Sequence, residues 1–268
     1  MRAVNRPVSW WGWHWEPPVP LSIVQIIGAG TMSPSLASML WLAMERGASV
    51  IVASLPPGAG KTAILTALLA FTPPETVAYF TKGVGETFDL PPLADSHFTY
   101  LLINELSDHL PVYTWGPYAR RAFELLAQGY RLASTMHAAT PLEVVEQLRG
   151  IGIPDEHLAH LDLLITLQVS YVRHQMERRV ESVTLLQLHP TQKYRMVELA
   201  RWRPEGDVFS VLEGEGQQAF ASWADITLQA LDREMEARAQ FLRSLYQTGV
   251  VDIPAVAQAI EEFRRGRR

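Results

Sequence analysis

The chain has 268 residues, 48% apolar and 19% charged, enough for a sizeable buried core and unlike a disordered, collagenous or low-complexity chain. Twenty-three Lys and Arg against 28 Asp and Glu leave a formal net charge of −5, so no global positive field recruits nucleic acid and no nucleic-acid partner is expected. The absence of Cys excludes a disulfide framework, a thiol nucleophile and a thiolate zinc site; with no apolar run near the roughly 18 residues of a membrane helix and no signal-peptide pattern, a cytoplasmic location is expected.

Residues 1–20 stand apart in composition, because Trp10, Trp11, Trp13 and Trp15 are half of the eight tryptophans and Pro17, Pro18 and Pro20 follow them. Four large rings in so short an arm need a surface to lie on, either their own domain or a partner. From Ser33 the signals turn local. Ser33 can cap a helix, Pro34 suits its first position, and Leu36, Met39, Leu40, Ala43 and Met44 recur at amphipathic helical spacing until Gly47. Residues 49–54 (SVIVAS) form a short β-branched run ended by Pro56-Pro57-Gly58, as a buried parallel strand would be. Residues 62–71 are apolar and of helical length; strands are predicted over 77–80 and 99–104 (TYLLIN), a helix over 117–127 and a strand over 130–134. Thr140, Pro141 and Glu143 open a capping-box helix that runs through Leu148. This alternation predicts a mostly parallel α/β sheet. Three further strands, over 164–172, 180–188 and 194–202, are joined by turns carrying Arg173, Arg178 and Arg179 and read as a β-meander added to the sheet. Leu228, Leu231, Met235, Ala239, Leu242 and Leu245 mark a long amphipathic helix stopped by Gly249, with a shorter one through Phe263. The predicted organisation is an arm over 1–20, a core over 21–215 with the meander from about 164, and a C-terminal helical cap over 216–268.

The residues Pro57, Gly58, Ala59, Gly60, Lys61 and Thr62 lie between a predicted strand and a predicted helix, which is the context of a P-loop. Amides of such a turn, with the positive end of the following helix, suit a polyphosphate. Lys61 would reach the β and γ phosphates and the Thr62 hydroxyl would ligate Mg²⁺, so ATP and Mg²⁺ are the expected cofactors. One position departs from the pattern: six residues before the lysine, where glycine is usual, stands Leu55, whose Cβ could tighten or distort the loop. Such a site also needs a carboxylate at the end of a neighbouring strand, to hold the metal's shell or orient an attacking water. Glu105 follows TYLLIN directly, and Asp108, three residues on, is close enough to share the metal; a solvated acidic turn is the plainer alternative. His137 follows the strand ending in Ser134, at the carboxyl edge where open α/β sheets place ligands. It could sense phosphate or order the water, although a lone histidine at a strand end is more often structural.

Together these residues resemble the motor ATPases of type II and type IV secretion, pilus assembly and the archaeal flagellum. Residues 132–138 (LASTMHA), with Pro141, Leu142, Glu143 and Leu148, are similar to that family's histidine box, and residues 103–108 (INELSD) to its Walker B segment with Glu105 as the catalytic glutamate. The lead-in helix with Gly30 and Pro34, the Arg-rich hairpin and the two C-terminal helices extend the likeness over about residues 20–265, nearest the archaeal branch. The resemblance implies a RecA-like P-loop NTPase core, Mg-dependent ATP hydrolysis with Glu105 and His137 as catalytic residues, and a homo-oligomer, hexameric in the family. It further implies inner-membrane platform proteins of a secretion or pilus machine as partners, and a peripheral position at the inner membrane face. Departures weaken hydrolysis more than binding. Ser107 replaces an arginine, Asn104 a glycine, only Glu86 remains of an acidic box near 81–86, and the stretch over 91–99 is shorter than the family's arginine-bearing helix. The family's arginine-lending N-terminal domain has no counterpart in residues 1–20, which leaves Arg120 and Arg121 as donors only if a neighbouring subunit presents them. The alternative is a non-catalytic, nucleotide-binding or nucleotide-free assembly relative.

Overall fold

The computed structural model describes residues 2–4, 20–172, 175–189 and 193–267; Trp10, Trp11, Trp13 and Trp15 of the arm and Arg173 lie outside them. The strands are β1 (Arg2–Val4), β2 (Val50–Ala53), β3 (Val77–Phe80), β4 (Thr99–Ile103), β5 (Arg131–Met136), β6 (Leu163–Val172), β7 (Gln175–His189), β8 (Lys193–Arg203) and β9 (Val208–Val211). The helices are α1 (Ile23–Gly28), α2 (Pro34–Glu45), α3 (Lys61–Leu69), α4 (Gly116–Ala127), α5 (Pro141–Gly150), α6 (Asp155–Leu158), α7 (Glu215–Trp223), α8 (Leu228–Gln247) and α9 (Ile253–Arg265). One sheet carries all nine strands in the order β1-β3-β4-β5-β2-β6-β7-β8-β9. It is parallel from β1 through β6 and antiparallel from β6 to β9. The fold is thus mixed α/β with a mostly parallel centre, and the meander continues it as one long ladder from Leu163↔Leu185 to Val172↔Gln175.

The pleat sorts β2 between two cores: Val50 and Val52 face one cluster, Ile51 and Ala53 the other. On the first face lie α1, α2, α3, α8 and α9, contributing Leu36, Trp41, Leu68, Leu242 and Ile260; on the second lie α4, α5 and α6, contributing Phe123, Leu148 and Leu158. Burial on both faces explains why the central strands read as continuous apolar runs. The C-terminal helices share the first core with the sheet, through Phe220, Leu231 and Val256.

The Ser33 Oγ accepts from the Leu36 amide at 3.1 Å and Pro34 opens α2, as the sequence indicates. The helix is not amphipathic, however: every residue from Leu36 to Met44 is buried, because α8 covers the side turned away from the sheet. An ionic clamp closes this layer. The Glu45 carboxylate accepts from Trp41 Nε1 at 2.7 Å, Arg264 Nε at 2.7 Å and Arg238 Nη2 at 2.5 Å, while Arg238 also pairs with Glu234. Arg264 donates a further bond of 2.6 Å to the carbonyl of Phe71, just past the end of α3. Among the described residues no helix is long and apolar enough to cross a membrane.

Candidate functional site

The turn between β2 and α3 departs from extended backbone at two glycines. Gly58 has φ +73° and Gly60 φ +92°, left-handed values that a Cβ disfavours. Leu55 has no such conformation and its side chain is 54% exposed, so its Cβ neither tightens nor distorts the loop. Gly60 is the N-cap of α3 and has no side chain to bond the first amides, which leaves the positive end of a nine-residue buried helix facing the cleft. Pro57 to Ala63, Leu21, Asn104, Glu105, Tyr113, Thr135, His137 and Arg178 surround a cleft of about 540 Å³ there.

Lys61 begins α3 and is only 8% exposed. Its Nζ lies 3.4 Å from the Ser54 carbonyl and 3.3 Å from His137 Nε2. Burial pushes its pKa below the ordinary lysine value, and the nearby Glu105 charge only partly restores it. His137 Nδ1 is 3.0 Å from the carbonyl of Leu55, which can only accept and so calls for a proton on Nδ1; Lys61 Nζ lies alongside the ring, 3.4 Å from Nδ1 and 3.3 Å from Nε2, and Nε2 is 3.5 Å from Glu105 Oε2. The next helix fixes this ring. Thr140 caps α5 at the Glu143 amide (3.1 Å), the Glu143 carboxylate accepts from the Ala139 amide (2.7 Å), and Gln147 Nε2 donates to the His137 carbonyl (3.0 Å). Burial, and then the charge of Glu105, raise the Tyr113 phenol above its usual pKa.

His137 and Glu105 come from different depths of the sheet. The strand before His137, β5, pairs directly with β2, but β4, which leads to Glu105, is one strand further out, whereas the sequence suggests that both adjoin β2. Both side chains still reach the cleft, because the carboxyl ends of β2, β5 and β4 stand in parallel register. Asp108 is exposed and is not among the residues that line the cleft. Glu86 is equally remote in function. Its buried carboxylate accepts from Tyr79 Oη, the Lys82 amide and the Phe88 amide, each at 2.7 Å, and so pins the loop after β3. Arg120 donates to the Ile151 carbonyl (3.0 Å) and Arg121 to Glu124 (2.9 Å); neither lines the cleft. Among the described residues no cluster of three or more His, Asp or Glu side chains could hold a metal, so a cation here would depend on Thr62, Glu105 and its own ligand.

The residue that sequence reasoning missed is Arg178. It sits on β7 opposite Val169, and its guanidinium donates to the carbonyl of Gly58 from Nε at 3.3 Å and from Nη2 at 3.1 Å. The run of arginines in the hairpin was a signal, but only the ladder register shows which one folds onto the turn.

The fold and the cleft define an α/β chain whose glycine-rich turn opens a buried helix at the carboxyl edge of a mostly parallel sheet. No family model matches the chain. It is 26% identical over 282 aligned positions to the uncharacterized protein MJ0900 of Methanocaldococcus jannaschii, covering 91% of this chain and 49% of that protein. It is also 26% identical over 256 positions to the uncharacterized protein MJ1287 of the same organism, covering 83% and 91%. The chain thus spans about half the length of the first relative and most of the second. Among solved structures, the VirB11 ATPase of the Brucella suis type IV secretion system, in complex with sulphate, overlaps 60% of this chain and 53% of its own at 19% identity and a TM-score of 0.40. The Legionella pneumophila ATPase DotB overlaps 91% and 59% at 12% identity and a TM-score of 0.33. At such scores the superpositions are loose, and the chemistry rests on the residues of the cleft.

Proposed function

We propose that the chain binds Mg·ATP in this cleft and is a slowly hydrolysing, nucleotide-binding subunit of a type II or type IV secretion or pilus-assembly machine. In this reading it is a homo-oligomer on the cytoplasmic side of inner-membrane platform proteins, with residues 21–215 as the nucleotide core and 216–268 as its helical cap. The nucleotide half is carried by one observation, the meeting of the uncapped start of α3 with Lys61, Thr62, Glu105 and His137 around a single cleft. The machine half rests on the motif resemblance of LASTMHA and INELSD.

The residues fit such a ligand. A Cβ built at Gly58 meets nothing within 4 Å, so the turn is uncrowded there, and the amides opening α3 have no side-chain acceptor of their own. Bound Mg·ATP supplies the phosphoanhydride and a divalent charge. The amides of residues 58–62 hold the oxygens, Lys61 neutralises them from an already desolvated position, and the Thr62 hydroxyl offers a metal ligand. Glu105 receives the proton of an attacking water, and His137, with Nδ1 given to the Leu55 carbonyl, accepts from that water at Nε2. Glu105 is the one carboxylate among the described residues lining the cleft and Asp108 stands outside it, which favours slow turnover or a purely nucleotide-binding role over a fast motor. Binding of a labelled ATP analogue in the presence of Mg²⁺, compared between wild type and Lys61→Met, tests the proposal. Equal affinity for the two would remove it.

A further inference from the structure

We propose that Arg178 is the cis cation of this cleft: it exchanges the Gly58 carbonyl for the terminal phosphate of a bound nucleoside triphosphate, and so lets the site tell triphosphate from diphosphate without an arginine from a second subunit. This rests on the reading of the cleft as a nucleotide site.

The argument starts from the partners of two adjacent arginines. Arg179 is fully engaged: it bonds both oxygens of Asp207 at 2.8 and 3.0 Å and Glu177 at 3.2 Å, and stacks over Trp202 at 5.9 Å. Arg178 has no carboxylate partner among the described residues, and its hydrogen bonds all go to one neutral carbonyl, at the mouth of the helix start. A guanidinium is worth most against a charged, forked acceptor, where both partners are ionised and two parallel bonds can form, and a phosphate offers both while a lone carbonyl offers neither. The charges of the cleft point the same way. Lys61 and Glu105 offset one another, and of the remaining lining side chains Arg178 alone carries a permanent charge. The phosphate that separates ATP from ADP adds negative charge for which this cation is the uncommitted counterpart. Its base is rigid, because β7 pairs with β6 on both sides of Val169↔Arg178 and Arg179 ties the hairpin to Asp207 in the turn before β9, while the flexible stem lies against Gly60, with Cδ 3.3 Å from where a Cβ would be. Only the side chain has to move.

The test compares dissociation constants of Mg²⁺ with a non-hydrolysable ATP analogue and of Mg²⁺ with ADP, for wild type, Arg178→Met and Arg178→Lys. Met retains the apolar stem against the turn. The expected result is a loss of triphosphate affinity of about tenfold to a hundredfold in Arg178→Met, the range of a hydrogen-bonded charge, with ADP affinity changed by no more than about twofold. Arg178→Lys should recover part of the loss. Equal weakening of both nucleotides would show that Arg178 merely props the turn, and no weakening of either would show that it is a bystander; each overturns the inference while leaving the nucleotide site intact. A wild-type chain that binds neither nucleotide would overturn the inference and the proposed function together.

Discussion

Replacing Lys61 by Met should separate binding from folding. Met fills the same 8%-exposed position with an unbranched chain of similar length, so the packing stays and the charge goes. Burial lowers the Lys61 pKa, and the pull of Glu105 in the other direction does not compensate, so the charged lysine weakens the fold. The sign follows from proton binding. The folded chain holds this proton less firmly than the unfolded one, and stability therefore rises as pH climbs from the folded pKa towards the ordinary 10.5. Lys61→Met is expected to unfold at a higher temperature than wild type at neutral pH, with the gap narrowing in strongly alkaline solution. For the ligand the effect reverses. An ammonium about 4 Å from one phosphate charge contributes about 4 kcal/mol at an effective dielectric of about 20. Against that stand the bonds Nζ gives up, 3.4 Å to the Ser54 carbonyl and 3.3 Å to His137, long enough to offset only about 1–2 kcal/mol. The remaining 2–3 kcal/mol or so corresponds to an ATP affinity about 30- to 150-fold lower. Titration calorimetry with a non-hydrolysable analogue, alongside scanning calorimetry without ligand, reads both quantities. Unchanged affinity, or a variant that melts below wild type, would refute the reasoning.

Other perturbations distinguish the remaining parts of the site and its support. Glu105→Gln should bind ATP at least as tightly as wild type, since a buried negative charge is removed, while any turnover falls by about a hundredfold or more; a single-turnover assay decides. Asp108→Asn should leave ATP affinity within about twofold of wild type, because the side chain is exposed and outside the cleft, and a larger change would restore it to the metal site. Glu45→Gln should cost about 3 kcal/mol at pH 7, the lower end of values for breaking a buried ion pair, because Arg238 keeps Glu234. Burial alone would raise the Glu45 pKa, but Arg238 and Arg264 together hold it below 4.5; that stability is present above 4.5 and vanishes as pH falls through the folded pKa. Urea unfolding of both proteins at neutral pH and well below 4.5 should show the gap close, and a gap independent of pH would contradict the clamp.

Local chemistry made much of this legible in advance. Val77–Phe80 was readable to the residue, and Ser33-Pro34 and Thr140-Pro141-Glu143 marked helix starts because capping depends on a few neighbouring side chains. The turn from Pro57 to Thr62 was legible for the same reason. What a single chain does not print is which strands become neighbours, so the place of β4 beyond β5 and the folding of Arg178 onto Gly58 emerged only with the sheet order and the hairpin register. The unrelieved burial of α2 was hidden for a similar reason: its covering helix, α8, lies nearly two hundred residues away in sequence. The exposed edge strand β9 lacked the apolar alternation that reveals a strand, and α7 carried too mixed a pattern to be read. Glu86 illustrates the converse error, since an acidic residue in a suggestive position proved to serve three donors of its own loop.

The bond from Arg264 to the Phe71 carbonyl gives α3 a fixed far end. The helix is nine residues, about 14 Å at 1.5 Å per residue, with the glycine turn at one end and the Glu45–Arg264 clamp just beyond the other. A rod held at one end answers a push at the other by pivoting, and here the pivot belongs to α9. The seat of Lys61 at the near end of this rod is therefore set in part by a segment some two hundred residues downstream in sequence, and loosening α9 would loosen the glycine turn one helix length away.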